Sequence, residues 1–259
     1  MGAGATRLCP MPAHATARAE RRPGGDASSR HLTRTADLAM SLSRSLDAAA
    51  GRSAGHGVRT CFLAMRLAEA LEMPDRERAS LFYAALLHDA GEVAALPGHQ
   101  RLIALRRLMP QRGTREERRA AEHGRVRRGA QLVMRAGFGP QAALTIMSLR
   151  ERWDGRGLPL ALAGEAIPLF ARIVAVAEGL DHAAVDAGPR GAETTLHARS
   201  GAEYDPELAG VMLALCGGGL LEEWAEDGLE ETVRDLEPSW LVRMADEDDA
   251  VRIGEALTA

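Results

Sequence analysis

The sequence predicts an all-α fold, and three observations carry that prediction. Only 3% of the 259 residues are aromatic while 46% are hydrophobic, so the core must be built largely from Ala, Leu, Val and Met, a composition suited to close helix packing. Apolar residues recur every three or four positions in one segment after another, as in Val58, Cys61, Phe62, Met65, Ala68 and Leu71. Gly and Pro, which stop helices, separate these segments. A chain of this length can bury a sizeable core as one large domain or two small ones.

The elements follow in order. Residues 1–33, rich in Ala, Arg, Gly and Pro without apolar period, read as a disordered leader. A helix is expected from Thr35, with Leu38, Met40, Leu42 and Leu46 on one side and Gly51 at its end. His56 opens the next. Pro74 begins a third, which runs through Leu81, Phe82, Ala85 and Leu86 into His88 and Asp89 and stops at Gly91. A short helix is expected over Leu102 to Met109, and Thr114 followed by Glu117 has the capping-box spacing that opens a long helix to about Arg135. Gln141 to about Trp153 reads as helix, then Asp154-Gly155-Arg156-Gly157-Leu158-Pro159 as a loop whose glycines permit positive φ. The segment from Leu169 to about Val185 is apolar on most faces and therefore central. Residues 188–201 have no clear pattern, and a helix is expected over Glu207 to Cys216. Gly217-Gly218-Gly219 then separates residues 34–216 from an acidic helical extension, residues 217–259, with helices over Leu220–Leu236 and about Asp248–Leu257. No strand is expected.

Charge excludes some function classes. The formal net charge is -4, which gives no global attraction for polyanions, so nucleic acid is not an expected partner. All 32 basic residues are arginine, and those between Arg101 and Arg128 lack interleaved aromatics, as expected of a solvated face. No apolar run reaches the roughly 18 residues of a membrane span. Cys9, Cys61 and Cys216 are few, odd in number and far apart, which fits a reducing cytoplasm and no disulfide framework.

The chemistry concentrates at a few polar residues at helix ends or inside apolar helices. His88-Asp89 ends a buried helix and offers a neutral nitrogen and a carboxylate oxygen to one point, as a divalent cation requires. A capping Asp that orients a structural His is the alternative. Glu178, within Ile173-Val174-Ala175-Val176-Ala177-Glu178, needs a cation, an Arg partner or a proton to be buried there. The other histidines, including His123 and His182, read as surface or loop residues.

Gly55-His56-Gly57-Val58-Arg59, Leu87-His88-Asp89-Ala90-Gly91, the loop from Glu151 to Pro159, the helix Leu169 to Ala177 and Ser200-Gly201-Ala202-Glu203-Tyr204-Asp205-Pro206 occur in an order that resembles the HD superfamily of metal-dependent phosphohydrolases. More narrowly they resemble the HD-GYP branch, associated with cyclic di-GMP phosphodiesterases. The resemblance implies an HD-type helical bundle, a metal set of His56, His88, Asp89 and Glu178, with His88 and Asp89 catalytic, and a motif loop of Glu151, Asp154, Gly155, Gly157 and Pro159. Departures are marked. Leu149 and Arg150 stand where the branch has paired histidines, Arg125 where it has another His, Arg52 where some members have an acidic ligand, Glu178 for an Asp, Glu92 for a Lys and Leu158 for the tyrosine.

A two-metal centre is therefore not expected. The site is expected to hold either one divalent cation (Mn, Fe, Mg or Ni) or none, with Arg52, Arg125 and Arg150 filling the cavity or binding phosphate there. The expectation is a degenerate, catalytically impaired domain with a regulatory, ligand-sensing or interaction role in bacterial signalling. The alternative is a single-metal phosphohydrolase of a nucleotide or other phosphoester. Expected partners are a nucleotide or phosphate ligand, a second copy of the chain in a homodimer, and a protein bound through the acidic C-terminal helices.

Overall fold

The computed structural model describes residues 33–93, 114–238 and 244–258. Residues 1–32 of the expected leader, His99 and the expected helix over Leu102 to Met109 lie outside them. The fold is all-α, with one two-residue antiparallel pairing: β1 (Thr33–Arg34) meets β2 (Met244–Ala245), Thr33 opposite Ala245. That pairing corrects the expectation of no strand and puts Thr33 in an element. Two residues are too few to show a period-2 signal, and the partners lie about 200 positions apart in sequence.

Helix α1 (Thr35–Ala50) ends on Gly51, whose φ of 64° lets its N–H reach back to Ala48 O. Helix α2 (His56–Ala70) is the centre of the core: Phe62, Leu63, Met65 and Leu67 are wholly buried on it. It approaches α1 closely because Gly57 has no Cβ, where one would lie 2.0 Å from Ser43 Oγ. Helix α3 (Asp75–Leu86) starts just after Pro74, and the short α4 (Ala90–Val93) follows His88 and Asp89.

Helix α5 (Arg115–Arg135) opens on the expected capping box: Thr114 Oγ1 accepts from Glu117 N at 3.2 Å, and a Glu117 carboxylate oxygen accepts from Thr114 N at 2.7 Å. It crosses α4 backbone to backbone at Gly129, where a Cβ would sit 2.4 Å from Gly91 N and 2.5 Å from Gly91 Cα. Backbone cannot yield as a flexible side chain does. Gly129→Ala is therefore expected to destabilise the fold by about 3 kcal/mol, the overpacking range, as a fall in urea midpoint with unchanged slope.

Helix α6 (Pro140–Ser148) is shorter than the expected Gln141–Trp153. Tertiary hydrogen bonds end it, because Trp153 N and Asp154 N donate to Glu203 O and Ala202 O. Helix α7 (Leu169–Arg199) is longer than expected: the chain kinks at Gly188 (φ 72°) and resumes after Pro189, so residues 189–199 are helical. Its first half is buried through Ile173, Val174, Val176, Ala177 and Leu180, as its apolar character predicts. Asp205 caps α8 (Pro206–Gly217), accepting from Glu207 N and Leu208 N.

The C-terminal extension folds back onto the core. Gly228, with φ of 90°, divides the expected Leu220–Leu236 helix into α9 (Leu220–Trp224) and α10 (Leu229–Asp235), and α11 (Glu247–Thr258) follows β2. Leu220, Leu221, Val233 and Ile253 join the same apolar cluster as α2. Three of the extension's acids pair with the rest of the chain: Glu223 with Arg66, Glu230 with Arg44, and buried Glu237 with Arg34 and the Tyr83 hydroxyl. No helix among the described residues is long and apolar enough to cross a membrane.

Candidate active site

The N-terminus of α2, the end of α3 and the middle of α7 meet at one buried point. His56 (0% exposed), His88 (3%), Asp89 (3%) and Glu178 (5%) are brought together there, as the resemblance implies. Both rings are oriented by acceptors. His56 Nδ1 lies 2.7 Å from Asp181 Oδ2, and His88 Nδ1 lies 2.7 Å from Ala85 O. A carboxylate and a carbonyl only accept, so each Nδ1 carries a hydrogen, and Nε2 of each ring is left to offer a lone pair or to share a proton. The two Nε2 atoms face one another at 3.1 Å. Two lone pairs at that distance call for a proton or a cation between them. With Asp89 they form a triad whose ligand atoms all lie within 4.8 Å of one another, and the His–carboxylate contact behind His56 is the usual support of a metal-bound imidazole. The donor set fits one divalent cation.

Asp181 is held in turn from three sides. Besides His56 it accepts from Arg59 Nε at 2.6 Å, from Arg59 Nη2 at 3.2 Å and from Trp224 Nε1 at 2.9 Å, so a residue of the C-terminal extension reaches the support of the site. Asp47, buried behind α2, accepts from Gly57 N at 3.2 Å and fixes the start of the helix that carries His56.

Guanidiniums approach the same carboxylates. Arg52 forks onto Asp89, with Nε 2.8 Å from Oδ2 and Nη2 3.1 Å from Oδ1, and that Nη2 lies 3.5 Å from Glu178 Oε1. Arg150 bridges Glu178 Oε1 at 3.1 Å and Glu92 Oε1 at 3.2 Å, with Asp89 at 3.8 Å. Arg125 departs from expectation. It borders the same small cleft as His88, Glu92 and Arg150, but its ion pairs go to Glu92 and Glu122 and to neither Asp89 nor Glu178. Glu92, in place of a Lys, thus neutralises the arginines that replace histidines.

The motif loop is built around Glu151. Its buried carboxylate accepts from Leu160 N at 2.6 Å and Leu162 N at 3.0 Å, folding the chain back past Pro159. Asp154 accepts from Arg156 N and pairs with Arg152. At Gly157 a Cβ would fall 2.3 Å from Arg152 N, so only Gly allows this return, and Gly155 takes a φ of 74°. None of these loop residues is among the described groups suited to a metal.

His182 corrects the expectation of a surface residue. It lies half-buried on α7, stacks on His56 with centroids 4.6 Å apart, and its Nε2 is 3.1 Å from Arg52 Nη1. Its spacing of four from Glu178 was the available signal, since i and i+4 share a helix face. His123 stays exposed on α5.

The carboxylates are strongly perturbed. Burial alone would raise Asp89, but His88, the Arg52 fork and Arg150 outweigh it and hold the carboxyl well below the usual range. Burial likewise opposes ionisation of Glu178, and Arg150 with the neighbouring imidazoles overcomes it, bringing the group from 4.5 to about 2. A depressed folded-state pKa contributes stability above the unfolded value that is lost as protons are taken up below it. The urea midpoint is expected to be level near neutrality and to fall as pH drops from about 4.5 towards 2, with Glu178→Gln removing part of that fall. An unchanged acid limb in Glu178→Gln contradicts this.

Comparisons with known proteins agree with the geometry. The sequence profile of the HD domain family matches residues 28–208. Over 214 residues the chain is 28% identical to the 3'3'-cGAMP-specific phosphodiesterase 3 of Vibrio cholerae serotype O1, covering 68% of this chain and 46% of that protein. It is 32% identical over 182 residues to the cyclic di-GMP phosphodiesterase response regulator RpfG of Xanthomonas campestris pv. campestris, covering 66% of this chain and 46% of that one. A crystal structure of a cyclic GMP-AMP specific phosphodiesterase of V. cholerae superposes with a TM-score of 0.75 at 26% identity, over 87% of this chain and 59% of that chain. The chain spans about half the length of the curated relatives it matches.

Proposed function

Because this chain belongs to the HD domain family, we propose that it is an HD-type phosphodiesterase of nucleotide phosphodiesters, with a cyclic dinucleotide as the substrate class, working with one divalent cation. The observation that supports this reading is the pair of imidazole lone pairs 3.1 Å apart beside Asp89. The named relatives, phosphodiesterases of 3'3'-cGAMP and cyclic di-GMP, supply the substrate class.

When bound, a divalent cation supplies electrophilic polarisation of a phosphoryl group and a more acidic water. This chain's own residues supply the rest. His56, His88 and Asp89 present the donors, with Glu178 one helix away, and Asp181 and Ala85 O keep the two rings in the tautomer that can donate lone pairs. Arg150 is 31% exposed at the cleft and can turn from Glu92 to a phosphodiester oxygen, which a planar guanidinium binds through two N–H groups. Arg52 must leave Asp89 for a cation to take its place, so cation binding competes with that ion pair.

A second reading rests on that same fork. If Arg52 and Arg150 supply the positive charge permanently, the domain binds a phosphodiester without cleaving it and acts as a sensor.

Hydrolysis of 3'3'-cGAMP, cyclic di-GMP and bis-p-nitrophenyl phosphate, measured with Mn2+ and with EDTA, separates the two readings. The proposal expects turnover that EDTA and His88→Ala each abolish. A folded protein that shifts its Tm with a cyclic dinucleotide yet turns over none of the three would favour the sensor.

A further inference from the structure

We propose that His182 is itself a ligand of the cation site, making the seat nitrogen-rich and selective for a borderline transition ion (Zn2+, Co2+, Ni2+ or Fe2+) over Mg2+. The inference rests on the single-cation reading and adds a residue to it.

Four observations converge. Glu178 and His182 are four apart on α7, one helical turn, so they present donors on one face. The His182 ring stacks on that of His56, at 10° and 4.6 Å between centroids, so α7 holds it directly against a residue of the triad. His56, Glu178 and His182 form a second group whose ligand atoms all lie within 4.8 Å, sharing His56 with the His56–His88–Asp89 triad. Lastly, the group that touches His182 Nε2 is Arg52 Nη1, at 3.1 Å. Arginine has no acceptor, so His182 Nε2 bears a lone pair as His56 and His88 do.

Arg52 therefore marks the seat. Its guanidinium touches Asp89, Glu178 and His182 together, a cation in contact with donors from α7 and from the end of α3. An ion that displaces it is within reach of Asp89, Glu178 and His182, with His56 shared between the two donor groups. Imidazole favours Zn, Fe, Cu and Ni, whereas Mg2+ wants an octahedron of oxygens and retains its water.

Titrating Co2+ into the full chain and reading its visible absorption tests the assignment without reference to turnover. Arg52→Ala is expected to bind one Co2+ per chain at least tenfold more tightly than wild type. Adding His182→Ala to it is expected to weaken binding at least tenfold and to shift the band as one nitrogen donor is lost, while Mg2+ up to a hundredfold excess should leave the Arg52→Ala band in place. Equal affinity and an identical spectrum with and without His182 would overturn the His182 assignment and leave the single-cation reading standing. No Co2+ uptake by a folded Arg52→Ala protein would overturn both. Should Arg52→Ala not fold, the comparison is made between wild type and His182→Ala by competition for Zn2+ against a chromophoric chelator, where equal affinities count against His182.

Discussion

Arg52→Ala is expected to cost about 4 kcal/mol of stability in EDTA and to recover most of it in saturating Mn2+. Arg52 supplies both of the short hydrogen bonds that a guanidinium makes to Asp89, whose carboxylate is only 3% exposed. Truncating one member of a buried pair strands the other charge, at about 3 to 5 kcal/mol. Arg150 remains, but at 3.8 Å from Asp89 it makes no hydrogen bond in compensation. A divalent ion does compensate, and binding to the native state alone adds about 2.7 kcal/mol at a hundredfold excess over Kd. Urea unfolding with EDTA and with Mn2+ checks both halves. A loss that Mn2+ does not relieve means the donors cannot form a cation site, and no loss in EDTA means the fork contributes nothing.

Asp181→Ala is expected to destabilise the protein by about 3 kcal/mol and to lower metal affinity with it. The carboxylate is wholly buried and accepts from His56, Arg59 and Trp224 at once. Removing it leaves an imidazole N–H, an indole N–H and a guanidinium without their acceptor. The last is 15% exposed and regains some water, which places the cost at the low end of the buried-pair range. The metal effect has a separate cause: without Asp181 nothing fixes the hydrogen on His56 Nδ1, and partners of this kind are worth about 10- to 100-fold in affinity. Asp181→Asn distinguishes the two, because it fills the space while losing the charge. Metal affinity equal to wild type in both variants would show that Asp181 is structural alone.

Much of this protein could be read from its residues in order. The all-α fold, the capping box at Thr114 and Glu117, the helix stop at Gly51, the buried first half of α7 and the gathering of His56, His88, Asp89 and Glu178 follow from spacings of three, four and seven residues or from a motif order that local chemistry preserves. Apart from that gathering, which the motif order alone marks, such features are decided within a turn or two of helix, where the interacting groups are neighbours in sequence.

Only the tertiary structure decided which charge meets which. Arg52, Arg125 and Arg150 looked alike as replacements for ligands. Arg52 forks onto Asp89 and Arg150 bridges Glu178, while Arg125 is held off by Glu92 and Glu122. The part taken by His182 depends on the rotation of α7 against α2, and the support of Asp181 on Trp224, from an extension that a run of three glycines seemed to set apart. An ion pair forms wherever packing brings opposite charges within about 4 Å, and its partners can lie a hundred residues apart. Sequence records each charge, and the folded core sets the distance between them.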